Sequence, residues 1–206
     1  MKVKLHFLLV FLWSIAASAT VTIFAAIPLF YSLIKPLNLT ELSYLSQKTI
    51  SYNFNTLMAY LLNPFNRALN MPDFKSSSEG LSHFADVKNL FILAMIATII
   101  LAIPTILFIK NRQYIQVYQE LKLCLMLPLF VAVISLFGGF DTIFITFHKL
   151  LFRNANWLFD PATDPVINIL PESYFMACFI LFGLIYLLFW SMLLVKAKRR
   201  IYHAKN

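Results

Sequence analysis

The chain has 206 residues, of which 60% are hydrophobic and only 13% are charged, and its mean hydropathy is +0.76. Soluble domains are closer to half apolar and a quarter charged, so this composition excludes a soluble globular protein and indicates a membrane protein. The formal net charge of +8 does not indicate a nucleic-acid partner, because the basic residues lie beside the hydrophobic segments, as is typical of membrane topology signals.

Four hydrophobic runs are long enough to cross a bilayer, which takes about 20 residues of helix. Because backbone groups in lipid must bond within their own segment, each run is predicted to be helical. The prediction is an all-α polytopic membrane protein, a single membrane domain over residues 1–206, with transmembrane helices at about 5–34, 90–109, 123–140 and 174–195.

The first run has features of a secretory signal peptide, with Lys2 and Lys4 before it and small residues at Ala17-Ser18-Ala19. It continues to Ile34, which is too long for a signal core, so we expect an uncleaved transmembrane helix. Prolines are expected to kink or end the helices locally at three positions, Pro28, Pro104 and Pro128.

The charged residues predict the orientation. Basic residues at both ends of the chain and around the short loop at 110–122 share one side, whereas eight of the nine acidic residues lie on the other side, Glu120 being the exception. The positive-inside rule therefore predicts that both termini are cytoplasmic and that two long loops, 35–89 and 141–173, are extracytoplasmic.

The first outer loop contains an apolar stripe at helical spacing, formed by Ile50, Phe54, Leu57, Met58, Leu61 and Leu62. It predicts an amphipathic helix that Asn63-Pro64 ends. This helix is expected either to lie in the plane of the membrane interface or to cap the transmembrane helices.

The second outer loop begins at Gly138-Gly139 and carries a second stripe at helical spacing, Ile143, Phe144, Phe147, Leu150 and Leu151. We predict a second amphipathic helix that continues toward Asn154 and Trp157. Asp160-Pro161 and Asp164-Pro165 should then break regular structure.

Each outer loop carries one histidine, the side chain best suited to proton transfer near neutral pH. His83 lies three residues before Asp86, whose carboxylate could orient its imidazole. His148 lies two helical turns after Asp141, so both side chains could point into one polar pocket. Candidates for contact with an oxyanion are Lys88, Arg153 and Asn154. The alternative is that each histidine is solvated or structural.

Other chemical signals are absent from the sequence. It has no Gly-x-Ser-x-Gly elbow, no phosphate-binding glycine loop and no His-Glu-x-x-His motif, and we expect no metal and no cofactor. The centres of the apolar runs lack ionisable residues, which argues against an ion path. Trp157 is most simply an interfacial anchor. Cys124 and Cys178 lie in apolar runs and are expected to be small buried residues.

Four motifs follow one another along the chain: His83-x-x-Asp86-Val87-Lys88-x-Leu90-Phe91, Phe147-His148-x-x-Leu151-Phe152-x-Asn154-x-x-Trp157, Asp160-Pro161-x-x-Asp164 and Leu170-Pro171-Glu172-x-x-Phe175. With the four spans and the large first outer loop, this ordered set resembles the bacterial lipoprotein intramolecular transacylases over nearly the whole chain.

The resemblance implies an acyltransferase of the bacterial plasma membrane whose active site faces the outer leaflet. Its partners would be a diacylated lipoprotein and membrane phospholipid, and the sn-2 acyl chain would move from the glyceryl ester to the α-amine of the same cysteine. We assign the proton transfers to His83 and His148, without deciding which is base and which acid, or whether an acyl-imidazole forms. Supporting candidates are Asp86, Lys88, Asp141, Arg153, Asn154, Trp157 and Asp160.

Two other functions fit the residues alone. One is a non-enzymatic scaffold or permease subunit whose outer loops bind a partner. The other is a membrane lipid hydrolase in which a histidine activates water, which would release free fatty acid instead of moving the acyl chain to nitrogen.

Overall fold

The structure, a computed structural model, describes residues 2–203. Within that range the chain forms helices joined by irregular loops, with short 3-10 turns at Gln113–Ile115 and Pro165–Asn168. The α-helices are α1 (Lys2–Leu33), α2 (Leu39–Ser43), α3 (Gln47–Leu62), α4 (Ser78–Lys110), α5 (Tyr118–Leu151) and α6 (Glu172–His203).

The four long helices α1, α4, α5 and α6 are each long and apolar enough to cross a membrane. Their side chains include many exposed large apolar residues, such as Ile99 and Ile103 on α4 and Leu136 and Phe137 on α5. Such surfaces are costly in water and favourable against lipid tails. The predicted all-α, four-span membrane fold is therefore confirmed.

Helix α4 begins well before the predicted span at 90–109, so the predicted first outer loop ends at residue 77 and His83 lies on a helix. The helix starts at Ser78 because the hydroxyl of Ser77 accepts the backbone N–H of Gly80 at 2.9 Å, which is an N-cap interaction. Hydropathy locates only the apolar part of such a helix, whereas the cap determines where the helix begins.

Helix α5 joins the predicted third span to the predicted second amphipathic helix. Gly139 interrupts the helical geometry between them, with φ 76° and ψ 162°, a conformation that glycine adopts without a steric penalty. The expected continuation toward Asn154 and Trp157 is wrong, since α5 ends at Leu151. Beyond it, the side-chain oxygen of Asn154 accepts the N–H of Asn156 at 3.1 Å, a local bond that competes with the helix.

The prolines and cysteines depart in part from expectation. Pro28, Pro104 and Pro128 lie inside α1, α4 and α5, so none of them ends a helix. Both cysteines are free thiols; Cys124 is buried as predicted, whereas Cys178 is partly exposed.

The chain divides into two compact units. The first unit contains residues 2–22, 94–139 and 180–203 of the described chain. Its core surrounds Trp190, which is fully buried and whose indole N–H donates to the hydroxyl of Ser14 at 3.2 Å. Trp13 donates similarly to the carbonyl of Thr98 at 3.0 Å. An indole N–H away from water needs such an acceptor, so these bonds determine which helix faces meet.

The second unit contains residues 23–93 and 140–179, and both outer-loop histidines belong to it. The apolar stripe of α3 is buried here except for Leu62, which is partly exposed. The ring of Phe54 stacks on Phe30 of α1 with centroids 3.7 Å apart and meets Tyr174 of α6 edge-on at 6.2 Å. Helix α3 therefore packs against the long helices α1 and α6. It ends at Leu62, as Asn63-Pro64 predicted.

The segment after α3 is fastened by two polar contacts. Asn53, fully buried on α3, donates to the carboxylate of Asp73 at 2.7 Å and accepts the backbone N–H of Asp73 at 3.2 Å. The ammonium of Lys88 on α4 donates to the carbonyl of Asn66 and lies 4.4 Å from the centre of the Tyr60 ring. The loop from 63 to 77 is thereby held against α3 and α4.

Phe54→Ala should lower the free energy of unfolding by about 3–5 kcal/mol, because it removes a buried ring and leaves a cavity beside Phe30. Thermal unfolding in detergent measures the change. Phe65→Ala is the matched control, since that ring is 89% exposed and its loss should have little effect. Equal effects of the two substitutions would contradict the buried role of α3.

Candidate active site

The two outer-loop histidines meet within the second unit. His83 lies near the start of α4 and His148 near the end of α5, and their ring centroids are 5.8 Å apart. His83 is 7% exposed and His148 is 9% exposed. The fold therefore brings together two imidazoles that are far apart in sequence, in surroundings that exclude most water.

A buried carboxylate determines the position of His83. Asp164, 3% exposed, accepts the backbone N–H of Ser77 at 2.8 Å and the hydroxyl of Thr163 at 2.9 Å. A negative charge is favourable at the positive end of a helix, and Ser77 caps α4 less than two turns before His83. Asp164 thus fixes the end of the helix that carries the histidine.

Gly80 permits this contact. A Cβ atom at position 80 would lie 2.2 Å from the carboxylate oxygen Oδ1 of Asp164, far inside van der Waals contact. The carboxylate can therefore reach the first turn of α4 only because residue 80 has no side chain.

Aromatic rings enclose the two imidazoles. The Phe152 ring lies 4.8 Å from His83 and 5.7 Å from His148, so it contacts both. Phe144 and Trp157 lie 4.2 and 4.9 Å from His148, and Phe159 lies 5.6 Å from His83. Such surroundings are apolar and strengthen any electrostatic interaction made inside them.

The hydrogen bonds define how each imidazole can act. Nδ1 of His148 lies 2.7 Å from the carbonyl oxygen of Phe144, which can only accept, so Nδ1 carries a proton and Nε2 of the neutral ring holds a lone pair. Nδ1 of His83 is buried and has no hydrogen-bond partner among residues 2–203. Buried polar atoms are rarely left unpaired, so this nitrogen distinguishes His83 from His148.

The segment after α5 is folded onto the first turns of α4. The Asn154 amide donates to the carboxylate of Asp86 at 3.2 Å, and the Asn156 amide donates to the hydroxyl of Ser82 at 3.3 Å. The indole N–H of Trp157 donates to the carbonyl of Asn154 at 3.0 Å. The ring of Trp157 is therefore held beside His148, with the two ring centroids 4.9 Å apart.

Asp86 lies close enough to His83 for its negative charge to favour the charged form of that imidazole. Its carboxylate receives the Asn154 amide, and within the described chain it makes no bond to Nδ1 of His83. Asp86 instead connects α4 to the segment that carries Trp157.

The other predicted supporting residues make their contacts elsewhere. Lys88 is engaged by Asn66 and Tyr60, and Arg153 is exposed. Asp160 is exposed and accepts the N–H of Ala162 at 2.9 Å, which shapes a turn. Asp141 lies beside Glu172, the first residue of α6, and the polar pocket expected to join Asp141 to His148 stays a prediction.

Sequence reasoning missed the residues that build the site around the histidines. Asp164 was expected only to break regular structure, and Phe152 and Phe159 were not identified as contacts of His83. One available signal was the run Ser76-Ser77-Ser78 before Glu79, which is typical of a helix N-terminus. In the described chain, no group of three or more His, Cys, Asp or Glu side chains could hold a metal ion.

A family model for the lipoprotein intramolecular transacylase Lit matches residues 4–175. The chain belongs to the Lit family. It is therefore an acyltransferase, and the resemblance drawn from the ordered motifs is confirmed.

Solved structures agree with this membership. The membrane integral lipoprotein intramolecular transacylase Lit from Bacillus cereus is 27% identical, with a TM-score of 0.77 over 99% of this chain and 97% of that chain. Variants of the Bacillus cereus Lit with one histidine replaced by arginine or alanine are each 29% identical, with TM-scores of 0.73 over 99% of this chain and 94% and 96% of theirs. The comparison with curated proteins produced no match.

In this Lit family member, Gly80→Ala should lower the free energy of unfolding by about 1–3 kcal/mol, because the new Cβ forces Asp164 away from the start of α4. It should also reduce transacylation by about 100-fold, the effect of a small misplacement of a reacting group. Thermal unfolding and an acyl-transfer assay measure the two effects.

Gly183→Ala is the matched control, since a Cβ at position 183 meets nothing within 4 Å. In an Asp164→Ala background, Gly80→Ala should add little further loss, because the clash has gone. A full additional loss in that background would show that Gly80 acts independently of Asp164.

Proposed function

We propose that this Lit family member transfers the sn-2 acyl chain of a diacylglyceryl-cysteine lipoprotein to the α-amine of the same cysteine, giving an N-acyl lyso-lipoprotein. The observation that carries the proposal is the pair of buried imidazoles, 5.8 Å apart within an aromatic enclosure. Amide formation from an amine and an ester needs one proton removed from nitrogen and one delivered to oxygen, and two adjacent imidazoles suit both transfers.

His148 acts as the base in this proposal. Its Nδ1 proton is committed to the Phe144 carbonyl, so Nε2 is the atom that can accept a proton. The α-amine has a reference pKa of about 7.7–8.0 and is partly neutral near pH 7. As the neutral amine attacks the ester carbonyl, the Nε2 lone pair removes the proton that the nitrogen must lose.

His83 acts as the acid. When the tetrahedral intermediate collapses, the bond from the acyl carbon to the glyceryl oxygen breaks, and that oxygen needs a proton to leave as an alcohol. The neutral His83 ring donates its N–H proton to that oxygen while its other nitrogen receives the proton that His148 took from the amine. Both rings are then neutral again, and the cycle needs no serine nucleophile and no cofactor.

Positioning accounts for much of the acceleration. The amine and the ester belong to one substrate molecule, so binding that aligns them replaces an encounter between two molecules. The rings of Phe152, Phe159 and Trp157 support this role, because an apolar enclosure can hold acyl chains and keep water from the ester.

The supporting residues have indirect roles in the proposal. Asp86 and Asn154 hold the segment that carries Trp157. Lys88 stabilises the loop after α3 through the Asn66 carbonyl, and Asp160 stabilises a turn through the Ala162 N–H. Arg153 is exposed and is assigned to contact with lipid headgroups. Asp141 lies beside Glu172 at the start of α6.

We further propose that the protein lies in the bacterial plasma membrane. The N-terminal end of α1 and the C-terminal end of α6 are then cytoplasmic, and the histidine pair faces the outer leaflet. The distribution of basic residues supports this orientation. It also places the site on the side where diacylated lipoproteins and phospholipid would be reached.

His83→Ala and His148→Ala should each reduce N-acyl lyso-lipopeptide formation by at least about 100-fold, the lower range for loss of a general acid or base. His148→Asn should be equally inactive although its amide can replace the Nδ1–H bond to Phe144, because it lacks a basic atom at the Nε2 position. Incubation with a synthetic diacylated lipopeptide and fragmentation by mass spectrometry locate the acyl group.

His6→Ala is the control, since His6 bonds to Gln113 in the first unit and should leave the reaction unchanged. Full activity in both His83→Ala and His148→Ala would remove the assignment of acid and base.

Trp157→Ala should increase the share of free fatty acid among the products, because it opens the enclosure beside His148 to water. Trp157→Phe keeps a ring over the imidazole and should retain transfer to nitrogen. Chromatography of released fatty acid beside mass spectrometry of the lipopeptide gives the ratio. If the unmodified protein already released mainly fatty acid, the lipid hydrolase would be the correct function.

A further inference from the structure

A strongly basic cleft lies in the first unit, which does not contain the histidine pair. It has a volume of about 410 Å³ and is lined by Ile109, Tyr114, Lys196, Arg199, Arg200 and His203. We call this set of residues the basic cleft. Among residues 2–203, no carboxylate is part of its lining, so its positive charges have no ion-pair partner there within the described chain.

Four of the lining residues share one face of α6. Lys196, Arg199, Arg200 and His203 follow one another at intervals of three, one and three residues, the spacing that aligns side chains along a helix. Like charges so placed repel one another. Lys198 belongs to the same helical turn but does not line the cleft. The cleft is therefore formed by one face of α6 and not by every basic residue of this segment.

The cleft lies at the depth where two membrane helices leave the apolar region. In α6 no Asp, Glu, Lys or Arg occurs between Glu172 and Lys196, and in α4 none occurs between Lys88 and Lys110. The lining begins at Lys196 on α6 and at Ile109 on α4, each adjacent to such a boundary. Phospholipid phosphates lie at the same boundary of the bilayer.

Two simpler causes account for only part of this arrangement. The positive-inside rule requires basic residues after a span, but it does not require them to share a cleft. Favourable interaction with the helix dipole falls off within the last turn, whereas Lys196 lies about two turns before the end of α6.

We propose that the basic cleft binds the phosphate group of an anionic phospholipid. Arg199 and Arg200 can present paired N–H donors to phosphate oxygens, and Lys196 adds a point charge. Ile109 offers an apolar contact beside the phosphate. The volume falls within the range of about 300–1,000 Å³ for small-molecule sites. The proposal does not depend on the chemistry at the histidine pair.

The test compares two neighbouring substitutions that remove the same charge. The purified protein in neutral detergent is titrated with short-chain phosphatidylglycerol, short-chain phosphatidylcholine or inorganic phosphate, and binding is followed by native mass spectrometry and by the shift in melting temperature. Arg199→Gln should weaken phosphatidylglycerol binding about fivefold, the effect of one basic residue near a lipid surface. Lys198→Gln should leave it unchanged. Both variants should match the unsubstituted protein in melting temperature without added lipid.

Three results would overturn the proposal. Equal weakening by Arg199→Gln and Lys198→Gln would mean general attraction by a positive surface. Equal affinity for phosphatidylglycerol and phosphatidylcholine would mean that the charge of the lipid is not recognised. Equal stabilisation by inorganic phosphate at the same concentration would mean that the cleft takes a free anion and not a lipid.

Discussion

The buried carboxylate of Asp164 holds the start of α4, and the position of His83 follows from that contact. A helix N-terminus leaves backbone N–H groups without partners, and a buried carboxylate needs donors. Each therefore satisfies the other, through the N–H of Ser77. Gly80 makes the close approach possible, since any Cβ there would collide with the carboxylate. Less than two turns along the helix, His83 is then directed toward His148.

The two imidazoles differ in the hydrogen bonding of their Nδ1 atoms, which determines the proton transfers each ring can make. The Phe144 carbonyl fixes the tautomer of His148, so one nitrogen is left to accept a proton. His83 has an unpartnered buried nitrogen and is held by its helix and by rings.

The polar segment between Asn154 and Trp157 connects the two helices that carry the histidines. Its amides bond to Ser82 and Asp86 on α4, while Trp157 covers His148 near the end of α5. Carboxylate and amide groups that resemble catalytic residues in the sequence thus act mainly as connectors. This explains why Asp86 and Asn154 belong to the site without touching the unpaired nitrogen of His83.

Composition and hydropathy were sufficient for the membrane class, the four long helices and the helical stripe of α3, because these depend on local apolar content and spacing. The ordered histidine motifs were sufficient for the family. Helix ends were less predictable: hydropathy does not register the Ser77 cap that extends α4 or the Asn154 turn that follows α5.

Only the tertiary structure decided which groups meet. The spacing of Asp141 and His148 along α5 predicts a shared polar pocket, yet the imidazole is surrounded by aromatic rings and Asp141 lies beside Glu172. Asp164, Phe152 and Phe159 belong to the site because they contact residues distant in sequence. Asp164 bonds to Ser77, and the two rings lie against His83. Residue spacing constrains neighbours along one helix, whereas the packing of separate helices and loops determines which side chains come together.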